Sequence, residues 1–342
     1  MGLRNCLACT STVPWRHPGA RGAKHSVKTS ADLQKALNAA QCGDTISLQA
    51  GSAFTGLFTF PAKQCDDAHW IVVRSSAADS ALPPEGTRAT PCYAGTASLP
   101  GRRSLGCSNA SNVLAKLAFA GTGSGPVVFA PGANHYRLLG LEITHSTPNM
   151  VVYNLVSNQS GGTSDHIGID RSWLHGTAQD ETTRGVMLSG STYFAIVDSF
   201  FSDFHCFAVT GSCGDSQAIA GGLGTNAMGP YKIANNFLEA AAENLLFGGG
   251  AADQAPHSWV FRNFSRRWRP LTPLLGFPRK PSPHPLPGRG GRIRLEWPVK
   301  PSYTRLVFRD RAGSGLRPIG PRLRRHGSRR TGSPSAIHLG TP

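Results

Sequence analysis

The sequence predicts an all-β solenoid of stacked parallel coils, on three observations. A weak repeat of short apolar strands runs through the middle of the chain, no helical pattern interrupts it, and one amphipathic helix precedes it, where a solenoid needs a cap. Each repeat has an apolar strand, a small polar residue, an aromatic-apolar pair and a polar loop. The instances are Ile169-Asp170-Arg171-Ser172-Trp173-Leu174, Val197-Asp198-Ser199-Phe200-Phe201, Ile233-Ala234-Asn235-Asn236-Phe237-Leu238 and Phe261-Arg262-Asn263-Phe264. Superposing Ser172, Ser199, Asn236 and Asn263 gives spacings of 27, 37 and 27 residues, and Leu139-Gly140-Leu141-Glu142-Ile143 fits one unit earlier at 30. A β-propeller would need longer, four-stranded units. In a parallel stack neighbouring coils lie about 4.8 Å apart, so equivalent side chains form ladders. Trp173, Phe200 and Phe237 are expected to stack inside, and the Ser and Asn residues at the bends to satisfy backbone groups that turning strands leave unpaired.

Before the repeat, residues 1–30 read as an irregular arm without the apolar stretch of a signal peptide, and its Cys6-Leu-Ala-Cys9 is a weak redox or metal signal. Thr29-Ser30-Ala31-Asp32 opens a helix over about 30–40, with Leu33, Ala36, Leu37 and Ala40 on one face. Gly43-Asp44 turns the chain into the strand Thr45-Ile46-Ser47-Leu48, and short strands follow at Leu57-Phe58-Thr59-Phe60 and Trp70-Ile71-Val72-Val73. Residues 75–131, rich in Gly, Pro, Ser and Ala, read as an insert of long loops projecting from the scaffold. The β-helix domain is expected to span 31–264.

Charge divides the chain at the same point. The net charge is +16 over 342 residues, yet residues 1–264 hold 17 basic and 17 acidic side chains, and 265–342 hold 18 basic ones against Glu296 and Asp310. A nucleic-acid partner is therefore expected only through the tail. Arg (16), Pro (13) and Gly (10) make up half of those 78 residues, and the scattered prolines argue against central strands and helices there. Three readings stand for the tail: a disordered basic arm for nucleic acid or anionic glycans, a flexible wall-associating segment, and out-of-frame translation of a GC-rich gene, with further coils in the true frame. All eight cysteines precede the tail, and Cys42 with Cys65, Cys92 with Cys107 and Cys206 with Cys213 are expected as local staples in an oxidising compartment, the alternative being free buried thiols. An extracellular or periplasmic monomer is expected, with its export signal missing from this sequence. No run of about 18 apolar residues marks a membrane span.

The sequence also resembles bacterial right-handed parallel β-helix proteins of the pectate-lyase-like group. The likeness covers about 31–264 and rests on Asp32-Leu33-Gln34-Lys35-Ala36-Leu37 leading to Gly43-Asp44-Thr45-Ile46, on Asn134-His135-Tyr136-Arg137-Leu138-Leu139-Gly140-Leu141-Glu142, and on Asp165-His166-Ile167-Gly168-Ile169-Asp170-Arg171. Asn235-Asn236-Phe237-Leu238-Glu239, Glu243-Asn244 and Phe247-Gly248-Gly249-Gly250 extend it. The resemblance implies a right-handed β-helix that handles polysaccharides, either a lyase-type enzyme on acidic glycans or a non-catalytic glycan-binding or cell-surface solenoid.

β-Elimination of a uronate polymer needs a cation at the sugar carboxylate, Ca²⁺ or Arg, and a base for the adjacent proton. The richest polar stretch runs from Asp165 to Arg184. In it Asp180 and Glu181 are candidate Ca²⁺ ligands, Arg184 or Arg171 would meet the carboxylate, and His175 would move the proton. Glu243, with Glu239, is a candidate second carboxylate of a glycosidase-like pair. A His205–Cys206 dyad is a weaker reading than a disulfide at Cys206, and Gly221-Gly222-Leu223-Gly224 reads as a tight turn, since no Lys-Ser/Thr follows it. The competing account of all these groups is ordinary solvated loop residues and bend residues that accept backbone hydrogen bonds.

Overall fold

The computed structural model describes residues 22–146, 151–206, 215–221, 228–248, 259–261 and 263–267. The basic tail, the Cys6–Cys9 motif and Cys213 lie outside the described residues. After β1 (Lys24–Val27) and α1 (Ser30–Ala39) come β2 (Thr45–Leu48), β3 (Ala53–Thr55), β4 (Phe58–Phe60) and β5 (Ile71–Ser75). An insert follows, and then β6 (Ala115–Phe119), β7 (Gly123–Phe129), β8 (Ala133–Leu139), β9 (Leu141–His145), β10 (Val151–Asn158), β11 (Ser164–Asp170) and β12 (Trp173–His175). The remaining strands are β13 (Glu181–Met187), β14 (Ser191–Val197), β15 (Phe200–Phe204), β16 (Gln217–Gly221), β17 (Tyr231–Ala234), β18 (Phe237–Ala240), β19 (Glu243–Phe247), β20 (Trp259–Phe261) and β21 (Phe264–Arg267).

Among the described residues the strands form three parallel sheets that the chain visits in turn. Sheet A runs β1-β2-β5-β8-β11-β14-β17-β20, sheet B runs β3-β6-β9-β12-β15-β18-β21, and sheet C runs β4-β7-β10-β13-β16-β19. Each strand beyond the first coil thus pairs with strands one coil away, as in a parallel β-helix. One apolar cluster joins all three sheets, with Ile169, Ile196 and Ile233 from A, Leu174, Phe201 and Leu238 from B, and Val186, Ile219 and Leu245 from C.

The helix closes the first coil. Thr29 caps it by accepting from the Asp32 amide, and Leu33, Ala36 and Leu37 are buried against the core. Its polar side chains also quiet the open strand edges, which would otherwise present unpaired backbone groups. Gln34 exchanges two 2.9 Å hydrogen bonds with the Thr59 backbone on β4, and Ser30 accepts from the Thr55 amide on β3.

The bend between sheets A and B carries a polar ladder. The amides of Leu141, Ser172, Ser199 and Asn236 donate in turn to the side-chain oxygens of Ser172, Ser199, Asn236 and Asn263 at 2.9–3.1 Å. Each small polar side chain thus satisfies a backbone donor one coil earlier, the arrangement expected from the repeat. The earliest unit pairs at a spacing of 31, with Leu139 opposite Asp170, rather than 30.

Two expectations are corrected. Trp173, Phe200 and Phe237 do form a column in register, but it lies in a cluster with Leu82, Leu99 and Leu114 of the insert, outside the main core. Leu174, Phe201 and Leu238, one residue later, face the interior, as alternation along a strand demands. The insert does not project. It lies on the column, and coil strands resume at Ala115. Arg102 reaches Asp203 and Glu239, Arg88 donates to the Asn235 carbonyl, and the Gly86 amide donates to Asp198, so the insert ties several coils together.

Cys42–Cys65 and Cys92–Cys107 are disulfides, and Cys206 is also disulfide-bonded. These bonds fit an oxidising, extracellular setting. Among the described residues no helix is long and apolar enough to cross a membrane.

Candidate functional site

The outer face of sheet C carries a polar row built one residue per coil. Strand register aligns Ser124, Asn154, Arg184, Gln217 and Glu243. Asn154 donates to Ser124 at 2.9 Å, Arg184 Nε to Gln217 Oε1 at 2.9 Å, and Gln217 Nε2 to Glu243 Oε2 at 3.0 Å. Arg184 also lies 3.3 Å from Asp215. Burial lowers the Arg184 pKa, and the charges of Asp215 and Glu243 offset this only in part. The result is a cation short of solvent, held on a rigid strand.

Register slips between β10 and β7 mark this row as irregular. They accompany two consecutive outward residues, Tyr153 and Asn154, between the interior Val152 and Leu155. Tyr153 is 52% exposed, large for an aromatic ring. Such bulges re-aim side chains and recur beside active sites.

Next to the row lies an open groove of about 720 Å³, lined by Leu57, Ser124, Asn154, Ser157, Asn158, Met187 and Ser189 among others. Three buried polar atoms in its lining, Asn154 Oδ1, Ser157 Oγ and Asn158 Oδ1, find no partner among the described residues. Buried polar atoms are costly to leave unmatched, and the amide and hydroxyl side chains of this lining make the groove a polar surface suited to a hydroxyl-rich ligand.

The residues singled out from the sequence separate onto four places. Arg184 and Glu243 meet in the sheet C row, joined through Gln217. His175 stands on sheet B, where Nε2 lies 3.0 Å from Glu142, whose carboxylate also binds Lys116 at 2.9 Å, and its ring stacks on Trp173 at 3.8 Å. Burial pushes the Glu142 carboxyl up, but the His175 hydrogen bond and the His175 and Lys116 charges outweigh it and hold the pKa below the usual glutamate value. Arg171 sits at the A–B bend, spent on Asp170 and on the Pro83 carbonyl of the insert. Asp180 and Glu181 are 3% and 1% exposed, and Asp180 accepts from Thr177 and lies 3.7 Å from His145. Glu239, on sheet B, binds Arg102 and is parted from Glu243 on sheet C. His205 faces the Thr177 carbonyl at 2.7 Å.

Tyr153, Asn154, Ser157, Asn158 and Gln217 were not singled out from sequence. Tyr153 was the one with a signal, an aromatic at a position that faces water within the apolar run Val151-Val152-Tyr153-Asn154-Leu155-Val156.

No protein-family model matches the chain, and no curated protein matches it. Among solved structures, an alginate lyase from Paenibacillus sp. str. FPU-7 is similar at 16% identity and a TM-score of 0.40, over 72% of this chain and 74% of that one. A mannuronic acid specific polysaccharide family 6 lyase from human gut microbiota aligns at 10% identity and a TM-score of 0.16, over 72% and 83% of the two chains. Likenesses this distant carry no functional argument, which rests on the site itself.

Proposed function

We propose that the chain is a secreted, right-handed parallel β-helix enzyme of the pectate-lyase-like group that cleaves an acidic polysaccharide by β-elimination on the outer face of sheet C, beside the groove. The right hand follows from the general rule for crossovers between parallel strands of one sheet, obeyed in about 98% of cases. The observation that carries the function is Arg184, a half-desolvated cation one rung from a groove whose Asn154, Ser157 and Asn158 atoms lack partners.

In this reading the Arg184 guanidinium binds the uronate carboxylate and stabilises the negative charge that builds on it as the adjacent carbon loses its proton. Tyr153, aligned with the neighbouring coil at about 4.8 Å per rung, transfers that proton. Electrons of the broken C–H bond form the C–C double bond, the glycosidic C–O bond breaks, and the leaving oxygen takes a proton. Glu243, two rungs from Arg184, holds Gln217 in place and does not touch the reacting carbon. Asn154, Ser157 and Asn158 bind sugar hydroxyls. No step runs through Ca²⁺ at Asp180 and Glu181: that ion takes six to eight oxygen ligands, whereas these two carboxylates are buried and one already faces Thr177 and His145.

Incubating the full chain with alginate, pectate and chondroitin, and following the ultraviolet absorbance of the unsaturated product, tests this. Product formation that Arg184→Ala slows by about 10²–10³-fold is expected. Saturable glycan binding without product on any substrate would leave a non-catalytic glycan-binding solenoid as the correct reading.

A further inference from the structure

Away from the groove, three side chains from successive coils of sheet A converge. His135 on β8 and His166 on β11 occupy equivalent positions, since Asn134 pairs with Asp165 and Tyr136 with Ile167. Their rings stack at 4.7 Å with planes 5° apart. Both backbones are left-handed, with φ of 54° and 51°, a kink that turns each ring out of the regular alternation. Asp67, in the loop before β5, brings Oδ1 to 3.2 Å from His135 Nε2 and 3.5 Å from His166 Nε2.

The proton inventory makes this convergence informative. The Asn134 amide nitrogen donates to the Lys63 and Gly132 carbonyls, which fixes its oxygen as the atom facing His135 Nδ1 at 2.9 Å. His135 Nδ1 must therefore carry the hydrogen. His166 Nδ1 faces the Asp165 carboxylate, itself anchored by Thr192, so it too is a donor. In the neutral tautomers both Nε2 atoms then present lone pairs toward a carboxylate oxygen, three acceptors with no donor among them. One metal ion there would take up all three lone pairs at once, which a single proton on either imidazole cannot.

We propose that Asp67, His135 and His166 bind one borderline divalent metal ion, Zn²⁺ being the model case, which fastens three successive coils. The donor set suits it: two imidazole nitrogens and one carboxylate, each imidazole oriented by an oxygen acceptor on its far nitrogen, as ligating histidines commonly are. Metal–ligand lengths near 2.1 Å in a tetrahedron imply ligand–ligand edges of about 3.4 Å. Two observed separations, 3.2 and 3.5 Å, already match. All three ligand atoms lie within 4.8 Å of one another, so a tilt of the stacked rings closes the third edge. The Asp67 side chain is 59% exposed, which leaves an open side for water as fourth ligand.

The test is titration of the chelator-treated full chain with Zn²⁺ by calorimetry, and with Co²⁺, whose visible spectrum reports tetrahedral coordination. One Zn²⁺ per chain, a tetrahedral Co²⁺ spectrum and a higher Tm in Zn²⁺ are expected. Asp165→Asn, one shell out, should weaken Zn²⁺ binding by about 10–100-fold. Asp67→Asn alters an exposed loop residue and should leave the fold intact while weakening binding at least as much. His69→Ala, beside the site and bound to Asp66, should change nothing. Absence of saturable one-to-one binding, or Zn²⁺ affinity unchanged in both Asp67→Asn and His135→Gln, would overturn the proposal.

Discussion

Arg102 binds Glu239 at 2.8 Å across the boundary between the insert and β18, and the same guanidinium reaches Asp203 on β15 at 2.6 Å. Burial lowers the Arg102 pKa, but the two carboxylates outweigh it and raise the value, so the charge is secure. Arg102→Ala removes the guanidinium from two buried carboxylates and is expected to cost about 3–5 kcal/mol. Urea denaturation measures this, and a loss under about 1 kcal/mol would mean that the insert is not fastened through this residue.

Glu142 predicts a specific acid limb. Its folded-state pKa lies below the ordinary value of 4.5, so the ionised carboxylate stabilises the fold above that pH, and the contribution is withdrawn as pH falls from 4.5 through the depressed value. Glu142→Gln should therefore lower stability at neutral pH and flatten its pH dependence between about pH 5 and 3. Parallel acid limbs in the two proteins would show that the Lys116–Glu142–His175 row has no such linkage.

The proposed chemistry separates two side chains by their kinetics. Arg184→Ala removes charge stabilisation from the transition state and should lower kcat/KM by about 10²–10³-fold. Tyr153→Phe keeps the ring against the sugar and removes the proton carrier, so kcat should fall by about 10²–10⁴-fold with KM little changed. A Tyr153→Phe enzyme with normal kcat would move the proton transfer to another group.

The bend ladder makes Asn236 worth more than a surface amide. Its oxygen accepts from the Ser199 amide and its nitrogen donates to the Ile196 carbonyl, all buried. Asn236→Ala should cost about 2–4 kcal/mol, since two backbone groups lose partners where water cannot replace them. Thermal melting of the variant, compared with an exposed control such as Gln41→Ala, reads this directly.

Much of the fold was legible in the residues themselves. A coil of 27 to 37 residues leaves its mark as Ser172, Ser199, Asn236 and Asn263, because the same bend in every coil has the same unpaired amide to satisfy. The capping helix was legible because Thr29 and the Leu33–Ala36–Leu37 face declare themselves locally. The site was less so. Asp165 to Arg184 looks like one polar cluster in sequence, yet a coil carries those residues over three sheets, while Arg184, Gln217 and Glu243 meet from separations of 33 and 26 residues.

The sequence by itself determined the solenoid period, the cap, the polar bends and the neutral body with its basic tail. Only the tertiary structure decided which face each side chain took. It put the Trp173–Phe200–Phe237 column under the insert instead of in the core, and gathered Asp67, His135 and His166 from three coils. The physical reason is that local periodicity fixes where strands and bends fall, whereas the partner of an outward side chain is chosen by coil-to-coil register and by whatever loop packs over it.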